Sequence, residues 1–195
     1  MSKKIFIVFG HHNYKLGSSF NASARDTFID EAKKNNHEID LLNLYEESQL
    51  KFWDGSKPNE QILNYRKRLE QADVMLIMSP CHNYIMNSAT ENFIANVFTP
   101  PWSFSYKKII GNWGYPVPNA LKNKTAIISM SYGGPSFFVS AIIQQIPRRI
   151  KKMVFNGLCG MKVKYLRFYE VLPNMSKETF EKHMEKVRKT VRQLQ

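Results

Sequence analysis

Residues Ile5-Phe6-Ile7-Val8-Phe9 form an unbroken apolar run that stops at Gly10 and gives way to a loop, His11 to Gly17, and then to Ser18-Ser19. Such a run needs cover on both faces, which suits a strand inside a parallel sheet. Beyond it, Phe20, Ala24, Phe28 and Ala32 recur every four residues, the spacing of a helix that buries one stripe. A serine at its head can accept a bond from an orphan amide of the first turn. The stretch therefore reads as strand, loop and capped helix, the opening of a β-α-β unit.

The rhythm continues outward. Glu38 to Leu44 reads as a second strand, Ile62, Tyr65 and Leu69 as a helix whose first turn lies near Pro58, and Asp73 to Met78 as a third strand ended by Ser79-Pro80. Ser88-Ala89-Thr90-Glu91 has the spacing of a capping box, and Phe93 and Val97 continue that helix. Residues 99–123 break the pattern with prolines and glycines among Trp102, Phe104, Tyr106, Trp113 and Tyr115, and read as a long functional loop. Thr125 to Ser131 is a fourth strand followed by Gly133-Gly134. Residues 137–156 read as helix interrupted at Pro147, and Lys162 to Val171 as a last strand. Phe180, Met184, Val187, Val191 and Leu194 trace a closing helical stripe. Alternation of this kind predicts an α/β fold: a doubly wound, five-stranded parallel sheet with helices on both faces. At 195 residues the chain fits one domain spanning 1–195.

Composition narrows the class. With 43% hydrophobic residues the chain can build a core, so disorder is excluded as its main state. Cys81 and Cys159 stand alone, which argues against a disulfide scaffold or a zinc ribbon and for a reducing compartment. The apolar run 5–9 is too short for a secretory signal, and no apolar stretch has the length to cross a membrane; a cytoplasmic protein is expected. The net charge of +12 is uneven: residues 1–121 carry 13 basic and 12 acidic side chains, residues 122–195 carry 15 and 4. Such asymmetry can serve a nucleic acid, an anionic surface or a phosphate-bearing small molecule. No recognition-helix pattern or aromatic interleaving accompanies Arg148, Arg149, Lys151 and Lys152, so no nucleic-acid partner is expected.

In open sheets of this kind ligands bind beyond the carboxyl ends of the strands, which selects the loops 10–21, 80–88 and 131–138. Gly17-Ser18-Ser19-Phe20-Asn21 can offer hydroxyls and helix-start amides to a phosphate, or simply cap the helix. It matches neither the nucleoside-triphosphate loop nor the dinucleotide fingerprint. Pro80-Cys81-His82-Asn83-Tyr84 mixes polar and aromatic groups, as the wall of a planar site would. Gly133-Gly134 removes side chains where a backbone turns with positive φ or meets something closely. His11, His12 and His82 lack metal-site spacing, and Cys81 reads as a small buried thiol rather than a nucleophile.

These residues, taken in order with Val97-Phe98-Thr99-Pro100, Leu121-Lys122-Asn123-Lys124 and Cys159-Gly160, resemble the flavodoxin-like NAD(P)H:quinone reductases over nearly the whole chain. The resemblance implies a flavodoxin-like fold, FMN or FAD as cofactor, NAD(P)H as co-substrate, a quinone or similar small-molecule electron acceptor, and a homodimer. It implies that His11, Ser19, Phe20 and Asn21 meet the flavin phosphate region. Pro80, Cys81, His82, Asn83 and Tyr84 would line the isoalloxazine ring, and Ser131, Tyr132, Gly133 and Gly134 would approach its pyrimidine edge. Loop 99–123 would wall the acceptor pocket. The chain departs from the family in a longer loop before Ser19, in Asn83 for an aromatic residue, in Asn87 for a proline and in Tyr132 for a small threonine, whose ring would stack on the flavin site or fill it. Glu91 and Asn96 stand where basic residues are common, and the family's Tyr and His that assist hydride transfer have no match after Gly134. A flavin-binding or degenerate regulatory module without turnover is the alternative.

Overall fold

The structure is a computed structural model and describes residues 1–48, 50–83, 85–111, 113–136 and 149–194. In chain order the elements are β1 (Lys4–Phe9), α1 (Phe20–Lys34), β2 (Glu38–Asn43), α2 (Glu60–Gln71), β3 (Val74–His82), β4 (Ile85–Met86) and α3 (Ser88–Val97). There follow β5 (Phe104–Ile110), β6 (Trp113–Pro118), β7 (Thr125–Ser131), a π-helical segment (Arg149–Leu158), β8 (Lys162–Phe168) and α4 (Lys177–Arg192). Most of the helix expected over 137–156 lies outside the described residues; 149–156 fall in the π-helical segment.

Five strands pair in parallel in the order β2-β1-β3-β7-β8, the flavodoxin-like α/β arrangement. The chain steps outward from β1 to β2 and then back across to β3, so the order reverses between β1 and β3, where such sheets open a crevice. Alternate residues feed two cores. Phe6, Val8, Met75, Ile77, Ala126 and Ile128 face α2, α3 and the π-helical segment. Ile5, Ile7, Phe9, Leu76, Met78 and Ile127 face α1 and α4. The run 5–9 is fully buried, as a strand covered on both faces must be.

Three expectations need correction. The third strand does not end at Ser79-Pro80 but runs on to His82, because β1 stops opposite Met78 while β7 follows β3 to Pro80 and β4 turns back along Cys81-His82. Pro80, which has no amide to donate, thus sits past the last rung of β1. Second, α3 is capped by Asn87, whose Oδ1 accepts from the Thr90 amide at 3.0 Å; Ser88 is already inside the helix, and Glu91 reaches Arg149 instead, at 3.2 Å. Third, residues 99–123 are not a loop throughout. Phe104–Ile110 and Trp113–Pro118 form an antiparallel hairpin, a separate two-stranded sheet with a register shift between Lys108 and Ile110. Its root lies at the amino-terminal edge of the main sheet, where Lys124 Nζ donates to the carbonyls of Glu70 and Ala72 and Trp102 Nε1 to Glu70.

Candidate functional site

The three strand-end loops meet as expected at one place. β1 ends in Gly10, whose amide donates to Met78 O at 2.9 Å and whose carbonyl accepts from Asn87 Nδ2. A side chain at position 10 would overlap Thr90 Oγ1, so the start of α3 and the end of β1 are packed backbone against side chain, and glycine is required. The chain then loops to Ser19, whose Oγ accepts from the Ala22 amide at 3.1 Å and donates to Asn13 O at 3.0 Å. That leaves the amides of Phe20 and Asn21 without a partner in the helix ladder.

A cavity of about 330 Å3 opens here. Its walls include His11, Ser19, Phe20, Asn21, Pro80, Cys81, His82, Ser131, Tyr132 and Gly133, together with Val171, Leu172 and Pro173, and its size is within the range of about 300–1,000 Å3 usual for small-molecule sites. Of the other candidates, Asn83 is exposed at φ 47° in the turn between β3 and β4 and lies outside the lining. Gly134 also lies outside it, its carbonyl accepting from the Glu170 amide at 3.1 Å. Tyr84 lies outside the described residues. No described residue of 99–123 lines the cavity within one chain.

The walls are fixed by internal bonds. Asn21 Nδ2 donates to Ser131 Oγ at 3.0 Å and the Ser131 hydroxyl returns a bond to Asn21 Oδ1 at 3.2 Å, tying α1 to the end of β7 through two buried side chains. Phe20 is held edge-on between Phe168 and His183, at 5.0 and 5.5 Å. The Tyr132 ring neither fills the cavity nor stands free to stack in it. It belongs to the hydrophobic core, lies against Tyr169 at 5.6 Å with 20° between the planes, and turns its hydroxyl to Met130 Sδ at 3.4 Å. Burial raises its pKa well above the usual phenol range, so it remains neutral. Cys81, expected buried, is only half-buried and faces the cavity, whereas Cys159 is fully buried and its thiol is pushed up to about 12 by desolvation.

Charge is sparse. Among the described residues no Lys or Arg lines the cavity. Nearby Arg25 is engaged elsewhere, with Nε and Nη2 donating to Asp26 Oδ1, Nη1 to Tyr14 O, and its plane over the Phe9 ring. His11 stacks on His12 at 4.6 Å, and its Nδ1 accepts from the Asn13 amide at 3.0 Å, which places the proton of the neutral ring on Nε2. Burial, followed by the neighbouring His12, lowers its pKa. An anion placed here would meet amides and hydroxyls at a helix start rather than a fixed cation. At Gly133 a Cβ would have only an ordinary contact with Leu172 Cδ2, 3.6 Å away, and φ is not left-handed. Among the described residues nothing requires glycine there, and its bare backbone borders the cavity.

Sequence reasoning missed Val171, Leu172 and Pro173. They follow β8 and are held against the site by the Val171 amide on Tyr132 O at 3.0 Å, and by His183 Nε2 on Tyr169 O at 3.0 Å. Their only signal was position beyond a strand's carboxyl end.

The profile of a family described as having a flavodoxin-like fold matches residues 3–193. Among solved structures, Smu.1420 from Streptococcus mutans UA159 is similar at 25% identity and a TM-score of 0.81, over 97% of this chain and 99% of that one. An NAD(P)H:quinone oxidoreductase from Methanothermobacter marburgensis matches at 16% identity and 0.81, over the whole of both chains. An FMN-dependent NADH-azoreductase from Bacillus anthracis, solved in complex with FMN, matches at 18% and 0.77, over 100% of this chain and 99% of that one. Curated proteins gave no match.

Proposed function

Because the chain belongs to the flavodoxin-like fold family, we propose that it is a flavin-dependent oxidoreductase that takes reducing equivalents from NAD(P)H and passes them to a quinone or similar small acceptor. The observation that carries this reading is the cavity itself. The carboxyl-terminal ends of β3 and β7, the start of α1 and the adjoining loops supply ten residues to one open trough, at the switch in strand order where this fold binds ligands. The names of the quinone oxidoreductase and the azoreductase, both nearly full-length matches, support the same reading.

The residues present fit a flavin mononucleotide moiety. The unpaired amides of Phe20 and Asn21, with Ser19 and the Nε2–H of His11, would hold its phosphate. Pro80, Cys81 and His82 would flank the ring on one side, and Gly133, free of a side chain, would admit it on the other. A flavin bound there would supply the hydride chemistry that no side chain can. The protein's part is orientation, exclusion of water by Phe20 and Leu172, and fixed dipoles at the ends of β3 and β7 where negative charge develops. The second reading, a flavin-binding regulatory module without turnover, is favoured by one observation: Tyr132, the one tyrosine among the described residues that line the cavity, turns its hydroxyl into the core and can pass no proton. FMN or FAD added to the purified protein, with excess removed, is expected to leave a yellow complex that oxidises NAD(P)H when a quinone is present. A colourless protein after both flavins contradicts the cofactor; a yellow one inert to both nicotinamides establishes the regulatory reading.

A further inference from the structure

A second cavity, of about 360 Å3, shares no lining residue with the first. It lies between α1, the edge strand β2 and the loop that leads from β1 into α1. Its size is within the range of about 300–1,000 Å3 usual for small-molecule sites, and the proposed flavin chemistry makes no use of it.

Two polar residues in its wall are nearly sealed and incompletely bonded. Asn43, at the end of β2, is 4% exposed. Its Oδ1 accepts from the Tyr45 amide at 3.2 Å, which fixes the orientation of the side-chain amide, and its Nδ2 donates to no described residue. The described side-chain atoms that are both unpartnered and fully enclosed are His37 Nε2, Glu91 Oε1 and Ser129 Oγ. Asn43 Nδ2 is not one of them, so its open side is the cavity that Asn43 lines. Arg25, in the same wall, is 6% exposed. Its Nε and Nη2 donate to Asp26 Oδ1 and its Nη1 to Tyr14 O. A guanidinium has five N–H groups, so one on each terminal nitrogen is left without a partner among the described residues. Donors shielded from water and left unmet are unfavourable, and a ligand's acceptor oxygens would satisfy them.

The rest of the lining narrows the ligand. Lys15 and Arg25 are balanced by Asp26 and Glu46, so no surplus of positive charge awaits a phosphate dianion. Ile29, Leu41 and the Tyr14 side chain offer apolar surface, and Leu41 stands 39% exposed. We propose that this cavity binds a small monocarboxylate with an apolar body, its oxygens on Arg25 and Asn43 and its hydrocarbon part against Ile29 and Leu41. The proposal goes beyond the redox reading and stands without it.

The test is titration of the full chain with benzoate and with 3-methylbutanoate, followed by calorimetry and amide chemical shifts, with and without FMN. Benzamide and inorganic phosphate serve as comparisons. At least one carboxylate is expected to bind saturably, at least about tenfold tighter than either comparison, with the largest shifts at Tyr14, Leu41 and Asn43. Neither FMN nor Gly133→Val should change that affinity. Asn43→Asp keeps the oxygen that the Tyr45 amide needs and turns the free donor into a like charge, so it should weaken the carboxylate at least about tenfold. Leu41→Ser, at an exposed position, should weaken it by a smaller factor and keeps the test available if Asn43→Asp does not fold. No saturable binding of either carboxylate overturns the proposal. So does binding that FMN or Gly133→Val abolishes and Asn43→Asp spares, which would give the carboxylate to the first cavity. Equal binding of benzamide, or tighter binding of phosphate, also overturns it.

Discussion

The loop that follows β1 and the hairpin between α3 and β7 both carry glycine and aromatic groups, yet they are held in opposite ways. The first is cross-tied at every few residues: Gly10 to Met78 and Asn87, Tyr14 to Arg25, Asn13 to Ser19, and Asn21 across to Ser131. The second has its strands paired only with each other, touches the π-helical segment through β6, and beyond the buried Phe104 exposes Tyr106, Ile110, Trp113 and Tyr115 to solvent. One region is built around a cavity whose shape must exist before a ligand arrives. The other is an arm whose side chains gain most when something covers them.

The sharpest way to break this comparison is at Gly10. Gly10→Ala pushes a methyl into Thr90 Oγ1, in a buried pocket with no slack, and is expected to cost about 3 kcal/mol in urea unfolding. Thr90→Ala in the same chain should return most of that loss, since it removes the overlapping atom. If the double variant is no more stable than Gly10→Ala alone, the overlap is not the cause.

Next in size is the cap of α3. Asn87 both accepts from the Thr90 amide and donates to Gly10 O from a site only 3% exposed. Asn87→Ala should cost about 2 kcal/mol, a cap plus a buried carbonyl left without that partner, whereas Ser88→Ala should stay within about 0.5 kcal/mol. Equal losses would restore the capping box read from Ser88 and Glu91.

At Gly133 the expected effect moves from stability to binding. Valine there would add two methyls at the cavity wall, beside Leu172, whose Cδ2 a Cβ at this position already meets at 3.6 Å. Gly133→Val is expected to weaken FMN at least about tenfold, roughly 1.4 kcal/mol, while the melting temperature of the flavin-free protein stays within about 2 °C. Unchanged flavin affinity would remove position 133 from the ligand path.

How far the sequence carried these arguments depends on what each segment buries. β1, β3 and β7 were legible because strands covered on both faces leave continuous apolar runs, and α1 and α4 because each buries a single stripe. The alternation of strands and helices implied a parallel sheet but not its order, β2-β1-β3-β7-β8, which only the folded chain shows. The hairpin was illegible for the converse reason: from Ser105 to Pro118 no described side chain is fully buried, so no alternation betrays the pleat. Pro116 and Pro118 then look like breakers although a two-stranded ribbon tolerates them. Asn87 was overlooked because Ser88 and Glu91 imitate a capping box one residue out of phase. The wall at Val171, Leu172 and Pro173 left no pattern, because what places it is a pair of hydrogen bonds to Tyr132 and His183 that only the folded chain creates.

A smaller effect than any of these is expected from pH. His11, His37 and His183 all have pKa values lowered, first by desolvation. As pH falls below the ordinary histidine value of about 6.5, the unfolded chain takes up protons at these positions before the folded one does. Stability therefore declines from about pH 6.5 downward and levels only once the folded histidines also protonate. His183→Gln, which can still donate toward Tyr169 O, should flatten part of this slope in melting curves taken between pH 7 and 5. A slope unchanged by His183→Gln would mean that other groups carry it.

Smallest of all should be changes at the far end of the hairpin. Trp113 and Ile110 contribute little to the core, being 71% and 75% exposed, and exposed positions away from special features usually alter stability by no more than about 0.5 kcal/mol. Trp113→Ser and Ile110→Ser are therefore expected to leave urea midpoints, flavin affinity and NAD(P)H oxidation in solution unchanged. The same substitution at a buried aromatic such as Phe93 should cost several kcal/mol, about 3 or more, through the cavity it leaves. If Trp113→Ser instead destabilised the isolated protein by more than about 1 kcal/mol, the arm would be part of the fold's own support. The contrast between a cross-tied cavity and a free-standing hairpin would then fail at the residue chosen to show it.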